Sequence, residues 1–142
     1  TDINEKQINN NSQRMKIFKN IKFKYHDFRK EKFNKIYNGA YLVDVLEHIY
    51  PKEEYNFLSN IFKSLDKNAV CLIGTPNKTT QKYASKYSKK GHVNIKDYQG
   101  MKNIGIKYFH NHFIFGMNDE IVHTGYYPMA HYLWLAGINP KN

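Results

Sequence analysis

The sequence is poor in cysteine and arginine, and it contains no long apolar run. Its one cysteine, Cys71, lies within the apolar run at residues 69–74, so the chain can form neither an internal disulfide nor a metal site with several cysteine ligands. None of the apolar runs approaches the roughly 20 residues that a membrane-spanning helix needs. No charged and then apolar leader opens the chain, and together with the lack of disulfides this favours a cytoplasmic protein.

Only two arginines, Arg14 and Arg29, contribute to the formal net charge of +10. Such a charge is common in proteins that bind nucleic acid, because basic side chains displace counterions from phosphates. Here, however, nearly all the basic residues are lysines spread along the chain, and lysine lacks the planar fork with which arginine grips phosphate or guanine. The pattern favours a solvated basic surface over a nucleic-acid-binding protein.

The composition is that of one globular domain. The 142 residues are 41% hydrophobic and 15% aromatic, which is enough for one core and too little for a second domain. Apolar residues recur at helical spacing in some segments and in short continuous runs in others. The patterns predict helices over residues 5–18, 51–65 and 95–108, strands over 21–25, 39–45, 68–75, 112–117 and 130–137, and a polar loop over 77–91.

The predicted strands at residues 39–45 and 68–75 are nearly continuous in apolar residues. Continuous runs are typical of parallel strands that are buried on both faces, whereas strands with one wet face alternate. These strands also alternate with predicted helices. The sequence therefore predicts an α/β fold with a doubly wound, mainly parallel sheet covered on both faces, followed by an antiparallel C-terminal hairpin.

Polar residues follow several of the predicted strands directly. Asp27 follows the strand at 21–25, Asp44 to His48 follow the strand that begins at Gly39, and "TPN" follows the next strand. Asp2 would follow a strand that lies mostly upstream of Thr1. Because ligands of open parallel sheets bind beyond the carboxyl ends of the strands, we expect these residues to face one crevice that suits a nucleoside-sized ligand.

Five segments of the chain form a recognisable series: "DINEKQI", "YHDF", "GAYLVDVLEHI", "VCLIGTPN" and "GHVN". In this order and spacing they resemble the class I S-adenosylmethionine-dependent methyltransferases, over nearly the whole chain. The resemblance implies a Rossmann-like fold, S-adenosylmethionine as the cofactor and methyl transfer as the activity. The segment "FGMNDEIVHTGYYPMAHYL" is similar to the tail of a bacterial subgroup found beside carbohydrate or cell-surface biosynthesis functions, which gives a context and no substrate. The acceptor that we expect is a small molecule.

The chain also departs from this family. Its members carry a glycine-rich loop after their first strand, and no G-x-G-x-G pattern occurs here. The resemblance therefore implies that residues 1–142 are a partial methyltransferase domain, running from the end of the family's second strand to its C-terminal strand. We expect the first strand and its loop to lie upstream of Thr1, and the fragment by itself to bind the cofactor weakly or not at all and to be inactive.

The resemblance assigns cofactor roles to Asp2, Asp27 and Phe28. Asp2 matches the acidic residue that accepts hydrogen bonds from the ribose hydroxyls. Asp27 matches the carboxylate that accepts from the adenine amino group, and Phe28 supplies a backbone N–H and an apolar wall. An alternative stays open for both aspartates, since either could cap a turn or the start of a helix.

Asp44, Glu47, His48 and His92 allow three interpretations. In the first, Asp44 lies beside the methionine end of the cofactor and His48 is a general base for the acceptor, because histidine titrates near neutral pH. In the second, the four residues bind a divalent metal ion, as a related E-x-x-E-H pattern does in some methyltransferases. In the third, Glu47 and His48 brace the turn between strand and helix. The site predicted from these alternatives has His48 as the catalytic residue and no metal.

Two further predictions concern the acceptor and the function as a whole. Asn77, after "GTP", and His92, in "GHVN", are predicted to lie on the acceptor side, although a turn-forming role for Asn77 stays open. A second function also stays open, namely a noncatalytic domain of the same fold that binds a nucleoside or a protein partner.

Overall fold

The structure, a computed structural model, describes residues 1–141 as a single mixed sheet with helices. The helices and strands are α1 (Glu5–Arg14), β1 (Tyr37–Val43), α2 (Pro51–Phe62), β2 (Leu65–Pro76), α3 (Lys86–Gly91), α4 (Tyr98–Tyr108), β3 (Phe109–Asn118), β4 (Ile121–His123) and β5 (Tyr132–Pro140). The strands lie in the order β1-β2-β5-β3-β4. The predicted α/β class is confirmed, and the three predicted helices form over shorter ranges.

One face of the sheet carries the hydrophobic core. Helix α2 begins at Pro51, whose fixed φ suits a first helical turn, and Glu53 and Glu54 lie near the positive end of the helix dipole. The buried side chains of α2 and α4 join those of β2 and β5 in a single cluster: Phe57, Leu58, Ile61, Phe62, Met101, Ile104, Tyr108, Ala69, Cys71, Ile73, Leu133 and Leu135. Burial raises the pKa of the Cys71 thiol to about 12, so the one cysteine serves packing.

The opposite face of β1 and β2 is exposed, although the sequence predicts strands buried on both faces. Tyr41, Val43, Val70 and Leu72 all point to this face and are at least 41% exposed. Their neighbours in the same runs are buried, as Leu42 is. A continuous apolar run does not reveal which face is covered, and α1, the one helix before β1 in the described residues, buries none of its side chains.

The sheet is mixed, whereas the sequence predicts a mainly parallel one. Among the strands that the structure describes, only β1 and β2 pair in parallel, while β5 inserts between β2 and β3 and pairs antiparallel with both. The predicted antiparallel C-terminal hairpin is confirmed, with β4 added by a tight turn at Asp119 and Glu120. Short connections of this kind can join only antiparallel neighbours, because a parallel crossover needs a dozen or more residues.

Two local predictions are wrong. Residues 21–25 do not form a strand: Tyr25 makes one isolated bridge, to Asp2, and residues 21–24 are irregular. Alternation of apolar and basic residues indicates a strand but does not supply a partner for its backbone groups. The segment 77–91 is not an irregular loop. It contains a 3₁₀ helix (Lys78–Tyr83) and α3. The side chains of Asn77 and Ser85 cap these two helices by accepting hydrogen bonds from the N–H groups of Thr79 and Ser88.

Within residues 1–141, no helix has both the length and the apolar character needed to cross a bilayer.

Candidate active site

Asp44 stands at the carboxyl end of β1 in a backbone conformation that few residues adopt. Its φ is 53°, in the left-handed region that costs a residue with a Cβ about 1–2 kcal/mol and that aspartate tolerates better than most. Its backbone N–H still donates to the carbonyl of Gly74, at 3.1 Å, so the turn begins directly at the end of the ladder. Strained residues at a strand end are common in functional sites.

The exposed side chain of Asp44 is held toward β5. The hydroxyl of Tyr132 donates to Asp44 Oδ1 at 2.9 Å. Burial raises the pKa of Tyr132, and the hydrogen bond to Asp44 raises it further, so this phenol stays a proton donor at neutral pH. The contact fixes one carboxylate oxygen of Asp44 and leaves the other for a ligand.

Glu47 is a buried carboxylate one turn beyond Asp44, within the 3₁₀ helix Leu46–His48. Its side chain is 1% exposed. The hydroxyl of Thr75 donates to Glu47 Oε2 at 3.1 Å, whereas Oε1 is buried without a hydrogen-bond partner among the described residues. Burial raises the pKa of the Glu47 carboxyl. An isolated buried carboxylate oxygen is costly, so a partner for it is the expected condition.

His48 and His92 lie next to this carboxylate. The Nε2 atom of His48 is 3.9 Å from Glu47 Oε1, and the two imidazole rings have their centres 5.3 Å apart. The Nδ1 atom of His48 lies 2.9 Å from the carbonyl oxygen of Gly91, and the Nδ1 atom of His92 lies 3.0 Å from Gln81 Oε1. Since a carbonyl oxygen can only accept, each ring carries its proton on Nδ1 when neutral, and Nε2 is then the basic nitrogen.

A cavity of about 380 Å³ opens beside His92. The segment that follows β2 forms most of its wall, and His92 and His131 complete it. The volume is within the range of small-molecule sites. The residues that line it are Pro76, Thr80, Gln81, Tyr83, Ala84, Ser88, His92 and His131.

Asn77 occupies a structural position. It is 1% exposed, its side-chain amide donates to the carbonyl oxygens of Tyr127 and Ala130, and its side-chain oxygen accepts from the N–H of Thr79. These contacts match the turn-forming alternative. They tie the segment that lines the cavity to the chain before β5, and they leave an acceptor little of Asn77 to contact.

The sequence reasoning missed a network centred on Asn94, two residues after His92. The side chain of Asn94 donates to Glu54 at the start of α2, and its backbone N–H donates to the carbonyl oxygen of Glu47. Lys96 contacts both Asn94, at 2.9 Å, and Glu54, at 2.6 Å. The local sequence does not indicate that Asn94 contacts Glu54, because the two residues are 40 positions apart. The "GHVN" segment does, however, include the buried Asn94.

Asp2, Asp27 and Phe28 each contact other groups of this chain. Asp2 Oδ1 accepts from the N–H of Asn4, just before α1. Both carboxylate oxygens of Asp27 accept from the Arg29 guanidinium at 2.8 Å, and this hydrogen-bonded cation lowers the pKa of Asp27. Phe28 stacks edge-on against other rings of an aromatic cluster: His26, Phe33 and Phe57.

The structure thus brings part of the predicted site together. Of the four predicted alternative metal ligands, Glu47, His48 and His92 form a cluster in which one possible ligand atom from each lies within 4.8 Å of the others. Asp44 is not part of that cluster and hydrogen bonds to Tyr132. The cofactor and acceptor roles that the sequence assigns remain predictions.

No protein-family model matches the sequence, and no curated protein sequence does. Solved structures do match. Protein PH0226 of Pyrococcus horikoshii OT3 is 18% identical with a TM-score of 0.71, and the N-methyltransferase NodS of Bradyrhizobium japonicum WM9, in complex with S-adenosylhomocysteine, is 14% identical with a TM-score of 0.68. A possible histamine N-methyltransferase of Thermotoga maritima, TM1293, is 12% identical with a TM-score of 0.66.

This chain has the class I S-adenosylmethionine-dependent methyltransferase fold. The alignments cover 98%, 99% and 84% of this chain, in the same order, and 69%, 65% and 64% of the three solved chains. The Rossmann-like, α/β prediction is therefore confirmed, with the mixed strand pairing described above. The chain spans about two thirds of the length of these structures.

Proposed function

We propose that this protein is an S-adenosylmethionine-dependent methyltransferase that acts on a small-molecule acceptor. The observation that supports this most strongly is the strand-end geometry of Asp44 within a methyltransferase fold, because a left-handed turn there presents a carboxylate beside the expected cofactor crevice. The NodS structure of the same fold is a complex with S-adenosylhomocysteine. Fold alone does not decide function, so the residues at the site carry the rest of the proposal.

The residues of this chain fit part of the cofactor. Asp44 would face the methionine end with its free oxygen, and Asp2 has one carboxylate oxygen left for the ribose. Asp27 could accept from the adenine amino group only by sharing oxygens that Arg29 already occupies, with Phe28 beside it as an apolar wall. The glycine-rich element of the family has no counterpart in these 142 residues.

S-adenosylmethionine, when bound, supplies a methyl group on a positively charged sulfur. The task of the protein is then to place an acceptor nucleophile in line with that methyl group, and positioning of this kind accounts for much of the acceleration in such transfers. His48 is our candidate base, since the Gly91 carbonyl holds its Nδ1 proton and leaves Nε2 to take the proton that the acceptor loses. Glu47 beside it would stabilise the resulting imidazolium.

The cavity beside His92 is the proposed acceptor site. Its volume suits a small molecule, and the segment that lines it carries five lysines, at positions 78, 82, 86, 89 and 90. This charge favours an acceptor that bears a carboxylate or phosphate. The likeness of the tail segment to proteins found beside carbohydrate biosynthesis functions is consistent with a sugar derivative.

A noncatalytic nucleoside-binding domain of the same fold is the second candidate, and it is favoured if the G-x-G-x-G pattern that these 142 residues lack is also absent from the full-length protein. Calorimetric titration of S-adenosylhomocysteine into the full-length protein tests the cofactor proposal common to both. We expect one site of micromolar affinity, and we expect Asp44→Asn to weaken it at least tenfold, because the amide keeps the left-handed backbone and removes the charge.

The matched control is Asp119→Asn, which makes the same change at a residue with a φ of 50° in the turn between β3 and β4. It should leave the affinity unchanged. If the full-length protein fails to bind S-adenosylhomocysteine, or if both variants bind as the wild type does, the proposed cofactor role of Asp44 is wrong.

A further inference from the structure

A second cavity, of about 250 Å³, adjoins the proposed acceptor cavity beside His92. The two cavities share Thr80, Tyr83 and His131 as lining residues, whereas Lys82 lines the second cavity alone. By itself the second cavity is smaller than the roughly 300–1,000 Å³ of a typical small-molecule site. It therefore suits one group of a ligand whose remainder lies in the acceptor cavity.

The chain around the two cavities carries positive charge with little compensation. Residues 67–96 include seven lysines and neither aspartate nor glutamate. In the part of the chain that the structure describes, Lys96 is the only one of these lysines that forms an ion pair, and its partner is Glu54. Charge of one sign beside a concave surface attracts ligands of the opposite sign, because the low-dielectric walls focus the field. We therefore expect an anionic group in one of the cavities.

Lys82 places one of these charges at the second cavity. Its ammonium forms neither an ion pair nor a hydrogen bond within residues 1–141, and its Nζ atom lies 4.8 Å from the centre of the Tyr83 ring. An aromatic ring attracts a cation at this distance, so the contact restrains an otherwise flexible side chain. The backbone carbonyl of Lys82 accepts from Lys89 Nζ at 2.8 Å, which ties Lys82 to α3. The three N–H groups of the Lys82 ammonium are left for a ligand.

His131 contributes a second polar side chain from a fixed backbone. Its N–H donates to Asn118 Oδ1 at 2.8 Å, and its carbonyl oxygen accepts from the N–H of Asn77 at 2.9 Å. Its imidazole is exposed and forms no hydrogen bond to residues 1–141. A neutral imidazole carries one N–H donor, and none of the residues that line the second cavity is acidic. The cavity thus offers one cation and one further donor to an anion.

We propose that the second cavity binds a phosphoryl group of the acceptor, with Lys82 and His131 as its ligands. The acceptor is then a small phosphorylated molecule whose reacting group lies in the cavity beside His92. A phosphoryl group offers three acceptor oxygens, enough for both side chains, and lysine is a common point-charge ligand for phosphate. A planar carboxylate is matched better by the fork of an arginine, which this cavity lacks. This inference rests on the proposed function, because it specifies the acceptor of the same site.

The test is a titration of the full-length protein with inorganic phosphate, without S-adenosylmethionine, followed by the amide signals in ¹H–¹⁵N NMR spectra. Chloride is replaced by phosphate at constant ionic strength, so that general screening does not change. We expect saturable shifts confined to residues 78–83 and 127–131. Lys82→Gln should weaken binding roughly tenfold or more, the effect of losing one hydrogen bond to a charged group. His131→Ala should weaken it less, because a neutral imidazole brings a donor and no charge.

The matched control is Lys86→Gln, which removes the same charge from an exposed lysine of the same segment that lines neither cavity. It should leave phosphate binding unchanged. Both substitutions lie at exposed positions, and the same spectra show whether the variants are folded. The proposal is overturned if the wild type shows no saturable binding, or if Lys82→Gln and Lys86→Gln bind phosphate equally well.

A short single-stranded RNA, titrated in the same way, separates a phosphoryl subsite from a nucleic-acid surface. We expect the RNA to bind no more tightly than inorganic phosphate. Tighter RNA binding that falls steeply with salt, and that both lysine variants weaken equally, would overturn the proposal, because the charge would then act diffusely. The titrations contain no cofactor, so their failure leaves methyl transfer to an unphosphorylated acceptor intact. Failure of the methyltransferase proposal, in turn, would leave the measured phosphate binding unchanged.

Discussion

At the scale of single residues, the site is defined by carboxylates in three different environments. Asp44 is exposed and held by Tyr132, and Asp27 is buried and paired with Arg29 through both oxygens. Glu47 is buried, and one of its oxygens has no hydrogen-bond partner within residues 1–141. Their sequence contexts resemble one another, since each follows an apolar or aromatic segment. Each carboxylate therefore has a different role because its partners differ. The ion pair of Asp27 with Arg29 also contributes to the stability of the fold.

The Asp27 ion pair predicts a loss of stability in acid. Its pKa is lowered in the folded chain by the hydrogen-bonded guanidinium, so the stabilisation is complete above the ordinary carboxyl pKa and disappears as the pH falls through the lowered value. Asp27→Asn should reduce the free energy of unfolding at pH 7 by roughly 1–3 kcal/mol, the range for hydrogen bonds to charged groups.

Urea denaturation of both proteins at pH 7 and at the lowest pH at which the wild type stays folded measures this. The difference between wild type and Asp27→Asn should shrink toward acid, and Glu120→Gln, at an exposed turn position, should show no such difference. A constant gap at all pH values would contradict the assignment.

Single residues also show what the sequence could predict. The "DVLEHI" and "GHVN" segments marked Glu47, His48 and His92 as candidates. The sequence could not show that Gly91 and Gln81 orient the two imidazole rings, because these contacts join residues 43 and 11 positions apart in the chain. Nor could the sequence show that Arg29 forms an ion pair with Asp27, since an arginine side chain two residues away can adopt many other rotamers.

At the scale of the elements, the uneven covering of β2 is the main feature that sequence reasoning missed. Leu72 and Ile73 are adjacent in one apolar run, yet Leu72 is 41% exposed and Ile73 is fully buried. Continuity of the run predicted the strand correctly. It could not predict which face would be packed, because that depends on which helices lie above the sheet.

This difference predicts unequal costs for one substitution at neighbouring positions. Ile73→Ala should destabilise the 142-residue chain by about 2–5 kcal/mol, because it removes buried atoms and leaves a cavity. Leu72→Ala should cost no more than about 1 kcal/mol, since roughly half of the transfer free energy is not gained at a half-exposed site. Equilibrium denaturation of the two variants checks this, and equal costs would show that the outer face is covered.

At the scale of the whole molecule, the chain combines a methyltransferase fold, carboxylates that follow its strands and a cavity of about 380 Å³. The net charge of +10 is spread over the chain, with a local excess of lysine at residues 78–90, the segment that also supplies most of the residues that line the cavity. The order of the elements and the α/β class could be predicted from hydrophobic patterns. The sheet order could not, because it rests on β5 inserting between β2 and β3, a pairing of residues far apart in sequence.

The most direct test of the central claim is a methyl-transfer assay with the full-length protein and S-adenosylmethionine labelled in its methyl group. The acceptors offered are a small-molecule extract of the cells that produce the protein and, separately, their RNA and protein fractions. We predict label in the small-molecule fraction alone, lowered at least tenfold by Asp44→Asn and unchanged by Asp119→Asn. A protein that binds S-adenosylhomocysteine but transfers no label to any fraction would contradict the account and would identify a noncatalytic domain of this fold.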